Sequence, residues 1–270
     1  AIKIAARGES YVLTTGTGSG KSLSYFIPIV DHVLRHRSQT GGGAKKITAI
    51  VIYPMNALCN SQCEELERFL GQNGPVTFAR YTGQESSDAR EKLAINPPDI
   101  LLTNYMMLEL ILTRQQQPDT KVVEAAKGLN FLVLDELHTY RGRQGADVAM
   151  LVRRVREALN SNLLCVGTSA TMVSEGDAAA RRQTVAQVAG KLFGAPVKPD
   201  NVVTETLQRV TPDSVTVKAA TLLQALADGV PTDMAYEDLR RHPVSAWIEL
   251  NLGLMIEEGK WVRRTPISVH

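Results

Sequence analysis

Over the first two thirds of this 270-residue chain, apolar residues fall into short β-branched runs. Between the runs lie longer stretches whose apolar positions recur three and four apart. The runs occupy 11–15, 47–53, 76–81, 100–103, 131–135 and 163–168, and each predicts a strand. Helical spacing covers 22–36, 56–70, 104–114 and 145–159; in the last, Val148, Val152, Val155 and Leu159 share one face. Near-continuous apolar strands alternating with helices predict an α/β fold, with a parallel sheet covered on both sides. In such sheets the loops at the carboxyl ends of the strands hold the ligand. Gly41-Gly42-Gly43 and Pro97-Pro98 read as connections.

The alternation stops after Phe193-Gly194. Residues 195–201 carry two prolines and read as a linker, followed by helix-rich stretches at 215–228 and 234–253. A closing hairpin is expected to turn at Glu258-Gly259. The division expected is therefore 1–195, a nucleotide-binding α/β domain, and 196–270, a partial linker or inserted domain. The second part is short for an independent core.

Composition narrows the picture only a little. The chain is 44% hydrophobic and 21% charged, with a formal net charge of +2. That balance is too mild to argue for nucleic acid, so any such site has to be a local surface. No apolar run is long enough to span a membrane. Ala1–Ser10 lacks a signal-peptide core, an initiator Met is absent, and the first strand follows almost at once, as in a piece of a longer protein. Three cysteines fit a reducing cytoplasm; Cys59 and Cys63, without a second Cys/His pair, read as ordinary thiols.

The chemistry begins at TGTGSGKS, Thr15-Gly16-Thr17-Gly18-Ser19-Gly20-Lys21-Ser22, directly after the first strand. Gly16, Gly18 and Gly20 permit a tight turn whose N–H groups converge, and the helix that follows adds its positive end. Lys21 can reach β- and γ-phosphates, and the Ser22 hydroxyl can ligate Mg²⁺. Thr15 stands where the general pattern has its first glycine, a variant known among helicase-type loops. The run FLVLDELH ends a strand in Asp135 and Glu136. Asp135 is expected to hold the metal and Glu136 to orient and deprotonate water, with strand alternation aiming them differently. After the strand at 163–168, Ser169 and Thr171 of GTSATM place hydroxyls beside the expected γ-phosphate. Such hydroxyls, with His138, can relay the nucleotide state.

In order and spacing, TTGTGSGKS, DELH and SAT resemble motifs I, II and III of superfamily 2 helicases of the DEAD/DEAH class. YPMNALCNSQ resembles motif Ia, RYTGQ the threonine-glycine motif and PDILLTNYMMLE motif Ib. The longer strings YPMNAL, TNYMMLE and LDELHTYRGRQGADVAMLVRR are similar to large bacterial DNA helicases of the MrfA/YprA type, relatives of which occur in anti-phage defence systems. The C-terminal HPVSAWIELNLGL and VRRTP resemble the segment joining that family's motor domains. The resemblance implies a RecA-like P-loop domain using ATP and Mg²⁺. It also implies nucleic-acid contacts near Pro54, Asn56, Thr82, Gly83, Thr103 and Asn104, with a single-stranded DNA tract as partner. Arg141, Arg143, Arg153, Arg154 and Arg156 can add positive potential, the competing reading being a solvated helix face.

No counterpart of the family's motifs V and VI occurs in these residues, and its adenine-reading glutamine belongs just upstream of Ala1. The expectation is the N-terminal motor of an ATP-dependent DNA helicase or translocase, with a second RecA-like domain as partner. Alone it should bind ATP·Mg²⁺ weakly, hydrolyse it slowly or not at all, and unwind nothing. The alternatives are a remodelling ATPase that grips duplex DNA and a nucleotide-binding assembly module of a defence complex.

Overall fold

The computed structural model describes residues 1–16, 20–41, 45–71, 74–170, 177–215, 217–257 and 259–264. Thr17, Gly18 and Ser19 of the glycine-rich loop, Thr171, and Glu258 of the expected hairpin turn lie outside them. The chain divides into two compact units, Ala1–Thr204 and Glu205–His270.

The first unit opens with α1 (Ile2–Ala6), β1 (Tyr11–Thr14), α2 (Lys21–Thr40), β2 (Ala49–Tyr53), α3 (Asn56–Leu70) and β3 (Phe78–Arg80). It continues through α4 (Ser87–Ile95), β4 (Ile100–Asn104), α5 (Tyr105–Thr113), α6 (Asp119–Ala125) and β5 (Phe131–Leu134). It closes with α7 (Gly142–Ala158), β6 (Leu164–Ser169), α8 (Ala178–Phe193) and β7 (Val202–Thr204). All seven strands run parallel in the order β3-β4-β2-β5-β6-β1-β7, a RecA-like sheet.

Strand alternation divides the core in two. Val12, Ile50, Ile52, Leu101, Leu132 and Leu134 face a core shared with residues of α5, α7 and α8. Tyr11, Leu13, Val51, Tyr53, Leu102 and Val133 face the other, shared with residues of α2 and α3. Burying one such aliphatic side chain is worth about 1.5–3 kcal/mol, so a one-residue slip of any central strand would be costly. Pro28 sits inside α2 and is buried without ending it.

The six expected strands are present, with bounds that differ by one or two residues, β4 and β6 each running one residue further. The seventh was not foreseen. β7 follows the stretch read as a linker, is three residues long, and pairs with β1 from Val12↔Val202 to Thr14↔Thr204. Its approach is held by Asn201, which donates to the Ser10 carbonyl at 3.1 Å.

The second unit contains α9 (Ala219–Asp228), α10 (Tyr236–Leu239), α11 (Pro243–Ile248), a π-type turn at Glu249–Gly253, and an antiparallel pair, β8 (Leu254–Glu257) and β9 (Lys260–Arg263). Glu249 accepts from the Val210 N–H at 2.6 Å and the Thr211 N–H at 3.0 Å, pinning the segment before α9 to that turn. No helix among the described residues is long and apolar enough to cross a membrane.

Candidate nucleotide and nucleic-acid site

Sheet order brings the chemistry-bearing loops together. β6 lies between β5 and β1, with Leu134 opposite Gly167 and Thr14 opposite Ser169. The loops that leave these three strands therefore share one edge. Gly20 precedes α2 at φ 73°, a left-handed conformation open to glycine at little cost. No atom would meet a Cβ there, so the requirement is conformational. Lys21 and Ser22 form the first turn of α2, where unpaired N–H groups and the helix dipole favour an anion.

The Lys21 side chain is only 11% exposed, and its buried ammonium lies 3.7 Å from Glu136 Oε1 and has no hydrogen-bond partner among the described residues. Glu136 itself has φ 53°, the only left-handed residue other than glycine among those described. For a residue with a Cβ this costs about 1–2 kcal/mol. Here the structure corrects the expectation that strand alternation aims the two carboxylates apart. β5 ends at Leu134, so both carboxylates lie beyond the strand, and Glu136 is placed by a left-handed turn instead.

A residue missed in the sequence locks this arrangement. The Thr168 hydroxyl accepts from the Glu136 N–H at 3.0 Å and donates to Asp135 Oδ1 in a short bond. Thr168 is fully buried on β6, so this bridge ties the Asp135 carboxylate and the Glu136 main chain to that strand. Its signal was the small hydroxyl residue one place before Ser169 in GTSATM, passed over in favour of the hydroxyls that follow it, Ser169 and Thr171. Burial pushes the Asp135 carboxyl above its ordinary range, and Glu136 adds to that; the Thr168 hydrogen bond and the Lys21 charge act in the opposite direction.

Glu136 passes into a 3-10 turn, Leu137–Thr139, whose Leu137 packs on β6. A Cβ on Gly167 would come within 2.3 Å of the Leu137 side chain, so this glycine is required by close packing. The same turn carries His138. Its Nδ1 lies 3.3 Å from Ser169 Oγ and 3.1 Å from Glu136 Oε2, although the second approach is not aligned for a hydrogen bond. Lys21, Asp135, Glu136, His138 and Ser169 thus form one connected group. Thr15 and Gly16 lead into it from β1.

Of the six residues expected near nucleic acid, Pro54, Asn56, Thr82 and Gly83 follow the ends of β2 and β3, and Thr103 and Asn104 are the last two residues of β4. Asn56 opens α3 and Asn104 caps α5; the Asn104 amide donates to Asn56 Oδ1 at 2.7 Å, and its own oxygen accepts from the Met107 N–H. Pro54 is partly exposed and Gly83 exposed. Thr82 and Thr103 are fully buried. Thr103 donates to the Tyr81 carbonyl at 2.6 Å, while the Thr82 N–H and hydroxyl both bond Glu85. Their hydroxyls therefore hold the loops rather than face outward. Met55 and Met106, exposed by more than half, flank the asparagine pair and were not singled out in the sequence.

Of the five arginines, Arg141 and Arg143 are exposed. The others are neither a charged patch nor a merely solvated face. Arg153 donates to the Ala149 and Lys191 carbonyls, Arg154 pairs with Glu109, and Arg156 donates to the Leu163 carbonyl.

A family model described as DEAD/DEAH box helicase matches residues 1–178. The ATP-dependent helicase YprA of Bacillus subtilis is 30% identical over 178 residues, a match that takes in 64% of this chain and 22% of YprA. The Lhr helicase/uracil glycosylase of Escherichia coli is 30% identical over 192 residues, taking in 66% of this chain and 12% of Lhr. The crystal structure of the DUF1998 helicase MrfA bound to DNA and AMPPNP superimposes with a TM-score of 0.57 at 27% identity, covering 76% of this chain and 26% of that one. The chain spans about a quarter or less of the length of each.

Proposed function

The chain belongs to the DEAD/DEAH box helicase family, and from that membership we propose that it is the ATP-binding motor domain of a DNA helicase or translocase. The observation that carries the reading is Lys21: a buried ammonium with no hydrogen-bond partner, at the start of a helix and beside two carboxylates. A buried charge so poorly satisfied is costly unless a ligand completes it.

The residues fit Mg·ATP. Lys21 and the first turn of α2 suit the polyphosphate, and Ser22 and Asp135 offer two hard oxygen donors for the metal. Among the described residues no group of three or more His, Cys, Asp or Glu side chains is placed to hold a metal alone. That suits an ion completed by phosphate oxygens and water. Bound there, Mg²⁺ neutralises charge that develops on the phosphates. With a polyphosphate bound, Lys21 would turn from Glu136 towards it, leaving Glu136 to orient a water and accept its proton. Thr168 keeps Asp135 and Glu136 in register during this exchange. His138 and Ser169 sit where a change at Glu136 is felt at the end of β6, the basis for their coupling role.

Along the ends of β2, β3 and β4 we place the nucleic-acid tract. Asn56, Asn104, Pro54 and Gly83 present the contacts, while Thr82 and Thr103 shape the loops. DNA is the track proposed, because the solved relative at 27% identity holds DNA. A second RecA-like domain supplies the arginine that hydrolysis needs, a contribution of about 10³–10⁵ in rate in related phosphoryl-transfer enzymes.

The test is binding of a fluorescent ATP analogue to the 270-residue chain, then ATPase of a longer protein with single-stranded DNA, duplex DNA and RNA in turn. Saturable Mg²⁺-dependent binding, weakened at least about tenfold by Lys21→Ala, is expected, with single-stranded DNA the best activator. No saturable binding by the unmodified chain would overturn the nucleotide assignment, and equal stimulation by all three nucleic acids the choice of track.

A further inference from the structure

Two contacts join α5, which opens on the nucleic-acid edge, to the segment that follows Glu136. At the first residue of α5 the Tyr105 ring meets the Tyr140 ring edge-on, with centroids 6.4 Å apart and planes at 81°. One turn later Glu109 pairs with Arg154 of α7. The first contact sits at a junction. Tyr140 closes the 3-10 turn, its N–H donating to the Leu137 carbonyl at 3.1 Å. In the same turn the Thr139 N–H and hydroxyl both donate to the Glu136 carbonyl, at 2.9 and 2.8 Å. A Cβ on Gly145 would lie 2.7 Å from the Tyr140 carbonyl oxygen, so the first turn of α7 also packs directly on this residue.

On the other side, Tyr105 follows Asn104 without a break. The Asn104 oxygen accepts from the Met107 N–H at 2.7 Å, and its amide donates to Asn56 Oδ1 at 2.7 Å. A strand that engages Asn104 competes for those bonds, and the helical turn beginning at Tyr105 moves with them. We propose that the Tyr105–Tyr140 ring pair is a positioning contact, carrying occupancy of the nucleic-acid edge to the turn that sets Glu136. The proposal rests on the nucleotide and nucleic-acid readings above and adds to them two residues that neither uses.

Tyr140 is 4% exposed and Tyr105 partly buried, and rings packed at interior density shift together instead of opening a gap. The ring is the part that acts, because the Tyr140 hydroxyl has no hydrogen-bond partner among the described residues. The turn is suited to respond: Glu136 at φ 53° is strained, and such a conformation persists only while its surroundings hold it. The Glu109–Arg154 pair is a weaker brace, with side chains 35% and 44% exposed. Without the rings the strand still binds at the edge, but the Glu136 turn no longer follows it.

The experiment measures ATPase of a longer protein carrying both motor domains, without nucleic acid and across a single-stranded DNA titration. Strand binding and thermal unfolding are followed alongside. Tyr105→Leu is expected to lower the maximal stimulation roughly 3- to 10-fold, with the unstimulated rate and strand affinity within about twofold of the unmodified protein. Tyr105→Phe and Tyr140→Phe keep both rings and should keep the stimulation. In a Tyr105→Leu background, adding Tyr140→Leu should lower the stimulation no further, since the contact is already broken. Glu109→Ala also loosens α5, yet should leave the stimulation intact. A merely structural role would lower the melting temperature and reduce stimulated and unstimulated rates in equal proportion. That result, or full stimulation in Tyr105→Leu, or its loss in Tyr105→Phe, or an equal loss in Glu109→Ala, would overturn the proposal. If no nucleic acid stimulated the unmodified protein, the nucleic-acid reading would fall and this inference with it. Stimulation that persists without the ring pair would sink only the inference.

Discussion

At the ends of β5, β6 and β1, Lys21 Nζ and Glu136 Oε2 are buried without hydrogen bonds, and Glu136 is held in a left-handed conformation. At the ends of β3, β4 and β2 the polar groups are largely spent on one another. Thr82 is tied to Glu85, Thr103 to the Tyr81 carbonyl, and Asn104 to Asn56. Both halves carry buried charged atoms without hydrogen bonds among the described residues, Lys21 Nζ and Glu136 Oε2 on one and Glu85 Oε1 and Arg90 Nε on the other, but only the second also ties its loops together through its side chains. The contrast follows from what each half is to hold. A compact polyanion with a metal can repay desolvated charges. A flexible strand needs a fixed surface of loops, and weak contacts spread along it suffice. Stability and function should therefore separate on the first half and travel together on the second.

The largest test of that separation is Glu136→Gln. In a longer protein carrying both motor domains, hydrolysis should fall about 10²–10⁴-fold, while analogue binding and melting temperature stay near those of the unmodified protein. A protein that serves only as an assembly module would lose nothing it needs. Next comes Gly167→Ala, which acts through packing. The added methyl displaces Leu137 and with it the turn that carries Glu136 and His138, at a cost of about 1–3 kcal/mol in denaturant unfolding. Hydrolysis should drop alongside. A neutral effect would mean that the turn can shift without moving the carboxylate.

These residues also show where sequence reading stops. The strand–helix alternation and the motif positions were legible because apolar period and turn chemistry are local properties. Lys21, Asp135 and Glu136 were legible because phosphate chemistry constrains residue type at fixed spacing. Thr168 was not, since its role depends on β6 lying between β5 and β1, a non-local fact of strand order. The setting of Asp135 and Glu136 was read as strand alternation for a similar reason: no pattern announces a left-handed glutamate beyond a strand that ends at Leu134. β7 is three residues long, too short to show a period. Thr82 and Thr103 were correctly located, but sequence cannot say whether a strand-end hydroxyl faces out or in.

On the scaffolded half, Glu85→Ala leaves the buried Thr82 N–H and hydroxyl without their acceptor. Unfolding free energy should fall by about 1–3 kcal/mol, and nucleic-acid binding should weaken with it. Asp135→Asn, on the other half, is expected to go the opposite way, raising the melting temperature by about 1–4 °C while abolishing Mg²⁺-dependent hydrolysis. The pH dependence checks the cause. Because burial raises the Asp135 pKa in the folded state, the folded form gains from its protonation. That gain is present below the ordinary Asp value of 3.8 and is lost as pH rises through the raised value. The stability gap between variant and unmodified chain should therefore be smallest below 3.8, open as pH rises from there through the raised value, and stay constant above it. A gap that does not vary with pH would assign the effect to packing instead.

The smallest effect is expected at Tyr140, yet it discriminates well. The residue is 4% exposed, meets Tyr105 edge-on at 6.4 Å, and its hydroxyl is buried with no hydrogen-bond partner among the described residues. Burial raises its pKa first, and the Asp135 charge adds to that, so it remains a neutral phenol. An unmade hydrogen bond in the core costs the folded state, and removing the hydroxyl removes that cost while the ring keeps its packing. Tyr140→Phe should leave the melting temperature unchanged or raise it by up to about 3 °C. The same substitution at Tyr25 or Tyr53, where the buried hydroxyls are paired at 3.2 Å, should lower it by a similar amount. Three Tyr→Phe changes beneath one sheet edge, chemically identical and all buried, would then differ in sign only through whether the oxygen had a partner. A fall of more than 2 °C at Tyr140 would mean that its hydroxyl is satisfied after all, and the contrast between the two halves would lose one of its orphan groups.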